Sequence, residues 1–192
     1  MKIGVVSDTH GNIEYLKKVI DKFHQEGVEI FIHLGDDITD LEGLKEPSVE
    51  WIEIPGVYEP IYVESNLPHR VIKEFEGLRF LLTHSPTSHP NDFPSDIKPE
   101  EVVKNREVDV ILYGHTHKPE LKEEEGVLWV NPGHLKKEDK KGFPPSYAIL
   151  ECNRKRTEVK IIDFLQKKII FSKIFLVNRC NQSNPYFYDK IL

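Results

Sequence analysis

The apolar positions fall first in a short unbroken run, "KIGVVS" at residues 2–7, which reads as a buried strand. A turn follows, "DTHGN", with Asn12 placed to cap what comes next. Ile13, Leu16, Val19, Ile20 and Phe23 then recur at helical spacing, and Gly27 is suited to end that helix. "VEIFIHLGDD" is a second strand running into Gly35 and two carboxylates. Strand, helix, strand predicts a βαβ unit, with the two strands parallel and their C-terminal ends on one edge.

Further on, "VEWIEIPG" alternates like a strand, and residues 57–77 read as a connection followed by another strand. "LRFLLTHS" is a buried strand ending at His84, after which "PTSHPNDFPSDIKP" is a long loop of the kind that usually carries function. "PEEVVKNRE" predicts a short helix and "VDVILYGHTH" another strand. From residue 120 onwards the segments "ELKEEEG", "VLWVNPGH", "SYAILECN" and "RTEVKIIDFL" have hairpin-like spacing. The fold class expected is therefore mixed α/β (α+β), leaning parallel in the N-terminal half and antiparallel in the C-terminal half. The charge runs "LKEEEG" and "LKKEDKKG" read as solvated turns.

At 192 residues the chain suits one compact domain. A formal net charge of −6 leaves no global positive field for duplex nucleic acid, although a small phosphorylated ligand held by a local metal charge stays open. Cys152 and Cys180 form no CxxC pair and no disulfide framework. No apolar run is long enough for a membrane span, and the N-terminus enters a strand without a signal-type h-region. A cytoplasmic location is the expectation.

The chemistry sits at strand ends: Asp8 and His10 after the first, Asp36 after the second, His84 after a later one, His115 and His117 after another. Singly, each is an ordinary turn residue. Jointly they are not, because ligands in open α/β sheets bind beyond the carboxyl ends of the strands. In "YGHTH", residues two apart in a strand face the same way, so a turn at Gly114 would let His115 and His117 converge on one point. Carboxylates and imidazoles without thiols suit divalent Mn, Fe, Co, Ni or Zn, and six donors exceed one tetrahedral shell. Two ions sharing Asp36 would use all six, and the net positive charge left over would be neutralised by hydroxide and a phosphate ester.

The motifs "SDTHGN", "LGDD", "LLTHS", "YGHTH" and "NPGH", in this order, resemble those of the calcineurin-like metallophosphoesterase superfamily. The resemblance runs over about residues 1–164 and is nearest to the small bacterial and archaeal phosphodiesterases that lack a large cap. It implies an αββα sandwich with a dinuclear metal centre on one edge. It also implies that Asp8, His10 and His117 hold one ion, Asp36 bridges, and His84 and His115 hold the other. The activity implied is phosphodiester hydrolysis by in-line attack of a hydroxide shared between two divalent ions, with manganese a leading candidate.

One segment departs from the pattern. Where the family carries GNxD, this chain reads "PGVYEP" at residues 55–60, with Val57 in place of the ligating Asn, Tyr58 at the position where a His can protonate the leaving group, and Glu59 in place of Asp. Valine ligates nothing, so Glu59, Asn66, His89, Asp92 and His134 become candidate substitutes, His89 and Asp92 foremost. A phenol ordinarily titrates near 10 and makes a weak acid catalyst, so substrates with good leaving groups would be favoured. Val57 also leaves open a non-catalytic binding or scaffold module that kept the fold. A phosphomonoesterase or protein phosphatase is the lesser alternative, since no His stands at 58 and no insertion shapes a peptide groove. Residues 165–192 are expected to form an extension, with "KIIFSKIFLV" an edge strand, an oligomer contact or a short helix. Its aromatic end, carrying Tyr186, Phe187, Tyr188 and Ile191, is expected to dock on the body or on a second copy.

Overall fold

The computed structural model describes residues 1–154 and 156–176. Its strands are β1 (Lys2–Val6), β2 (Ile30–His33), β3 (Glu50–Glu53), β4 (Arg70–Phe75), β5 (Leu78–Thr83), β6 (Val110–Leu112), β7 (Glu120–Glu124), β8 (Val127–Asn131), β9 (Ser146–Asn153), β10 (Arg156–Asp163) and β11 (Ile169–Leu176). The helices are α1 (Ile13–Gln25), α2 (Ile61–Glu64) and α3 (Pro99–Lys104). One sheet has the order β11-β10-β9-β1-β2-β3 and the other β4-β5-β6-β8-β7.

Side-chain alternation builds the layers. Ile3, Val5, Ile30 and Ile32 of the first sheet meet Phe80, Leu82, Val110, Leu112, Leu128 and Val130 of the second in one buried cluster. The intervening positions face outward and are covered by helices. Leu16, Val19, Ile20 and Phe23 of α1 pack on Phe31, Tyr147 and Ile149, while Val102 of α3 packs on Leu81, Ile111 and Tyr113. The result is helix, sheet, sheet, helix. Ile13, counted in the helical stripe by spacing, lies exposed at the first turn of α1 instead. Asn12 accepts from the Tyr15 N–H, and Gly27 ends the helix at φ +68°.

Both sheets are mixed. β1, β2 and β3 run parallel, as do β5, β6 and β8. The antiparallel expectation for the later segments holds for β7 with β8 and for β9, β10 and β11, but β8 also lies parallel to β6. Two sets of parallel strands therefore deliver their C-terminal ends to a common edge. The segment at 61–64, read as connection, is one turn of helix. β11 pairs with β10 and extends the sheet past residue 164 as its outer strand, with Ile169, Phe171, Ile174 and Leu176 exposed. The aromatic residues Tyr186, Phe187, Tyr188 and Ile191 lie outside the described residues, so the oligomer expectation attached to them is open. Among the described residues no helix is long and apolar enough to cross a membrane.

Candidate metal centre

At that edge the two sheets close on each other. The Asp8 N–H donates to Gly35 O at 2.8 Å, the Gly114 N–H to His84 O at 2.9 Å, and the His115 N–H to Asp8 Oδ2 at 3.0 Å. Gly114 is required by this approach, since a Cβ there would stand 1.9 Å from Ser7 Oγ and 2.7 Å from Asp8 Oδ2. Gly56 is required likewise, because a Cβ would stand 2.1 Å from Asp36 Oδ1.

Two groups of donors result. Asp8, His10, Asp36 and His117 form one, and Asp36, His84 and His115 the other, with the donor atoms of each group within 4.8 Å of one another. In the first, His10 Nε2 lies 3.1 Å from His117 Nε2 and 3.6 Å from Asp36 Oδ2, and His117 Nε2 lies 3.3 Å from Asp8 Oδ1. In the second, His84 Nε2 lies 3.1 Å from His115 Nδ1 and 3.4 Å from Asp36 Oδ1. His115 and His117 thus diverge into different groups rather than converging on one point. The turn is made at the histidines themselves, whose φ values are +64° and +61°, and not at Gly114.

Left-handed backbone is concentrated here. Of ten non-glycine residues with positive φ among those described, six are Asp8, His10, Asp36, Asp37, His115 and His117. Asp and His tolerate that region better than most residues, yet it still costs on the order of 1–3 kcal/mol each, and such strain gathers at functional sites. The fold accepts it because it aims ring and carboxylate inward from strand ends.

The protonation state of His10 and His115 favours cation binding, whereas hydrogen bonding to Asp8 and Asp139 raises His117. His84 Nδ1 lies 2.6 Å from Leu34 O, to which it donates, so Nε2 is the nitrogen turned to the centre. Burial, aided by the charge of His84, pulls the His115 imidazole down to about 4, and burial also lowers His10. Both rings are then neutral donors at pH 7. Burial pushes Asp36 up, with the neighbouring Asp8 adding to the rise. Burial would raise Asp8 too, but the His117 and His84 rings hold it below its ordinary value. Asp8 Oδ1 is fully buried and has no hydrogen-bond partner. A buried anionic oxygen without a donor, with His117 Nε2 3.3 Å away and the His10 ring and Asp36 in the same group, fits a divalent transition-metal ion.

The remaining sequence candidates lie outside both groups. Glu59 clamps the backbone behind Asp36, accepting from the N–H groups of Asp36 (3.0 Å), Ile38 (2.9 Å) and Gly56. Asn66 is exposed in the turn after α2. Asp92 is taken up by Arg70 at 2.8 Å and by the Tyr62 hydroxyl at 3.0 Å. His134 is on the His117 side, its ring 5.5 Å away and its Nε2 donating to Phe143 O at 3.1 Å. His89 comes nearest to the second group, with its ring 5.8 Å from His115, but its Nδ1 accepts the Asn91 N–H and its Nε2 faces the Tyr58 hydroxyl at 3.2 Å. Tyr58 is exposed, 6.2 Å from the His115 ring. Val57 is buried and offers no donor side chain, so the second group has three donors against four in the first.

Sequence reading missed the supports. His33, fully buried, accepts the Gly35 N–H on Nδ1 at 3.2 Å and lies 3.2 Å from Thr9 Oγ1, which donates to Asp40 Oδ2 at 2.6 Å. Asp139 accepts from His117 Nδ1 at 2.8 Å. Arg70 anchors the long loop. None has a sequence motif, though a His inside the apolar run "IFIHL" was a visible anomaly.

Two predictions arise from these supports. Glu59→Gln turns an amide nitrogen towards one or two of the three N–H donors and is expected to lower metal-free stability by about 1–3 kcal/mol in urea unfolding, with weaker ion binding. Burial pulls the His33 imidazole down to about 3, against about 6.5 in the unfolded chain. Its neutral form is what folds. Its contribution is therefore complete above pH 6.5 and is lost as pH falls towards 3, because the unfolded chain binds the extra proton in that window. With chelator present, His33→Gln should flatten the stability decline between pH 6.5 and 4 by up to about 1.4 kcal/mol per pH unit.

A two-sheet sandwich with carboxylates and imidazoles grouped on one edge defines a metallohydrolase type of protein. The chain belongs to the calcineurin-like phosphoesterase superfamily, whose domain description matches residues 1–155. Phosphodiesterase MJ0936 of Methanocaldococcus jannaschii is 30% identical over 146 residues, covering 69% of this chain and 83% of its own length. The structure of YfcE, a phosphoesterase from Escherichia coli, superposes with a TM-score of 0.69 at 24% identity, covering 91% of this chain and all of that one. Vps29 of Chaetomium thermophilum superposes with a TM-score of 0.71 over 92% of this chain and 98% of its own, but at 14% identity shares the fold alone. The chain is a hydrolase of the metallophosphoesterase kind.

Proposed function

We propose that the chain is a phosphodiesterase working with two divalent ions. One would be held by Asp8, His10, Asp36 and His117, the other by Asp36, His84 and His115. The observation that carries this reading is the pair of donor groups sharing Asp36, with Asp8 Oδ1 buried and unpartnered among them. Ions in these groups would supply an activated water nucleophile and offset negative charge on the phosphoryl oxygens.

The chain's own residues do the rest. Asp36 sets the spacing of the two groups, and Glu59 holds the turn that carries it. Leu34 O and Asp139 keep the outer nitrogens of His84 and His117 protonated so that their inner nitrogens face the centre. On the side of the second group stands the Tyr58 hydroxyl, hydrogen-bonded to His89. We assign this pair to the leaving oxygen, with His89 positioning the phenol for proton donation. That role suits a diester with a good leaving group, in keeping with the phosphodiesterase name of the archaeal relative. A non-catalytic module is not favoured, because Val57 leaves the second group short of one donor without dispersing it.

The test is chelator-stripped protein assayed with bis(p-nitrophenyl) phosphate and added Mn²⁺, Co²⁺, Ni²⁺, Fe²⁺ or Zn²⁺. Turnover that depends on added ion is expected. Absence of turnover with all five would refute the reading.

A further inference from the structure

Asp139 lies in "LKKEDKKG", a run whose composition reads as a solvated turn. Its side chain is only 3% exposed. The loop folds over the rear of the metal centre: the Leu135 N–H donates to Asp8 O at 3.2 Å, and Lys141 Nζ donates to Thr116 O at 2.9 Å. Asp139 Oδ2 accepts the Lys141 N–H at 2.9 Å, which leaves Oδ1 turned to His117 Nδ1 at 2.8 Å.

We propose that Asp139 is a positioning residue of the metal centre, fixing His117 as the tautomer whose Nε2 lone pair faces Asp8, His10 and Asp36. The inference rests on the metal-centre reading above and adds to it a source of ion affinity. An ionised carboxylate only accepts, so the proton between the two groups belongs to His117 Nδ1, and Nε2 is the nitrogen turned to the other donors of the group. Charge-assisted hydrogen bonds are stronger and shorter than neutral ones and orient the ring as well as the proton. The two groups differ in this respect, since His84 is braced by the neutral carbonyl of Leu34. The first group therefore combines four donors with an anionic brace and is the tighter of the two.

The experiment compares wild type, Asp139→Ala, Asp139→Asn and Lys141→Ala, using Mn²⁺ titration calorimetry and ¹⁵N-histidine NMR of the ion-free proteins. Asp139→Ala is expected to weaken the tighter Mn²⁺ equilibrium by about tenfold or more. Asp139→Asn keeps an acceptor for the Nδ1 proton but not the charge, and is expected to recover part of the affinity. His117 Nδ1 should carry its proton in wild type and the Asn variant, and should exchange between protonated and bare forms in the Ala variant. Lys141→Ala cuts the side-chain tie of the loop but keeps the Asp139–His117 hydrogen bond, and should bind Mn²⁺ no more weakly than wild type.

Wild-type affinity in Asp139→Ala, or equal losses in the Ala and Asn variants, would overturn the inference. Loss of the same size in Lys141→Ala would reduce Asp139 to a loop anchor and overturn it too. Ion uptake without hydrolysis would remove only the phosphodiesterase reading. A wild-type chain that takes up no Mn²⁺ would remove both.

Discussion

Asp36→Asn is expected to lower ion-dependent phosphodiester hydrolysis by about a thousandfold or more while leaving the metal-free fold at least as stable as wild type. The carboxylate presents Oδ1 to His84 Nε2 at 3.4 Å and Oδ2 to His10 Nε2 at 3.6 Å, so each donor group depends on it. Asparagine keeps one acceptor oxygen and turns an N–H₂ towards the other group, removing a negative charge from both. Losing several kcal/mol of charge stabilisation in the transition state corresponds to that rate. The stability sign is opposite. Burial pushes Asp36 up and the nearby Asp8 adds to it, so the ionised form is disfavoured by the ion-free fold at neutral pH. A neutral side chain relieves that repulsion, for a gain of about 1 kcal/mol. Thermal unfolding separates the two effects: Mn²⁺ should raise the wild-type midpoint, as any ligand specific to the native state does, and should scarcely move that of the variant. Equal Mn²⁺ shifts in the two proteins, or hydrolysis within tenfold of wild type, would contradict the assignment.

Arg70→Met is expected to destabilise the chain by about 3–5 kcal/mol. The Arg70 side chain is 2% exposed. Its Nε donates to Thr83 Oγ1 at 3.0 Å, Nη1 to Ile97 O at 3.1 Å, and Nη2 to Ser85 Oγ at 2.8 Å and Thr87 O at 3.3 Å. Two nitrogens grip Asp92, at 2.8 and 3.0 Å. Burial alone would push the Asp92 carboxyl up, and the Arg70 guanidinium holds it below its ordinary value instead. Methionine would leave that carboxylate without its cation and several acceptors without their donor. Asp92→Asn added to Arg70→Met should recover part of the loss, because the stranded charge is then gone. A loss under 1 kcal/mol in urea unfolding would show that the network is not needed. Hydrolysis should fall as well, since the same loop carries His89 beside Tyr58.

The outline of the site was legible in the sequence because strand ends are local features. A run such as "VDVILY" fixes where the strand stops, and the residues just beyond it must sit on the sheet edge. The order of strands was less legible. β8 was read with the hairpins because "ELKEEEG" and "VLWVN" are adjacent, and only the pairing of Val110 with Leu128 reveals its second, parallel neighbour. Apart from the histidine inside "IFIHL", the long-range supports left no local trace. Arg70 and Asp92 are separated by 22 residues, so nothing in the sequence pairs them, and Asp139 is surrounded by lysines. The substitutes considered for the missing Asn lie outside both donor groups: Glu59, His89, Asp92 and His134 are hydrogen-bonded elsewhere, and Asn66 is exposed.

The central claim is that side chains from four strand ends form one centre for paired cations. Crystals of the wild-type chain soaked in Mn²⁺ and measured at the manganese edge test it most directly. Two anomalous peaks are predicted on either side of Asp36, one among Asp8, His10 and His117 and the other beside His84 and His115. Full occupancy elsewhere on the molecule, with no peak within ligand distance of Asp36, would contradict it.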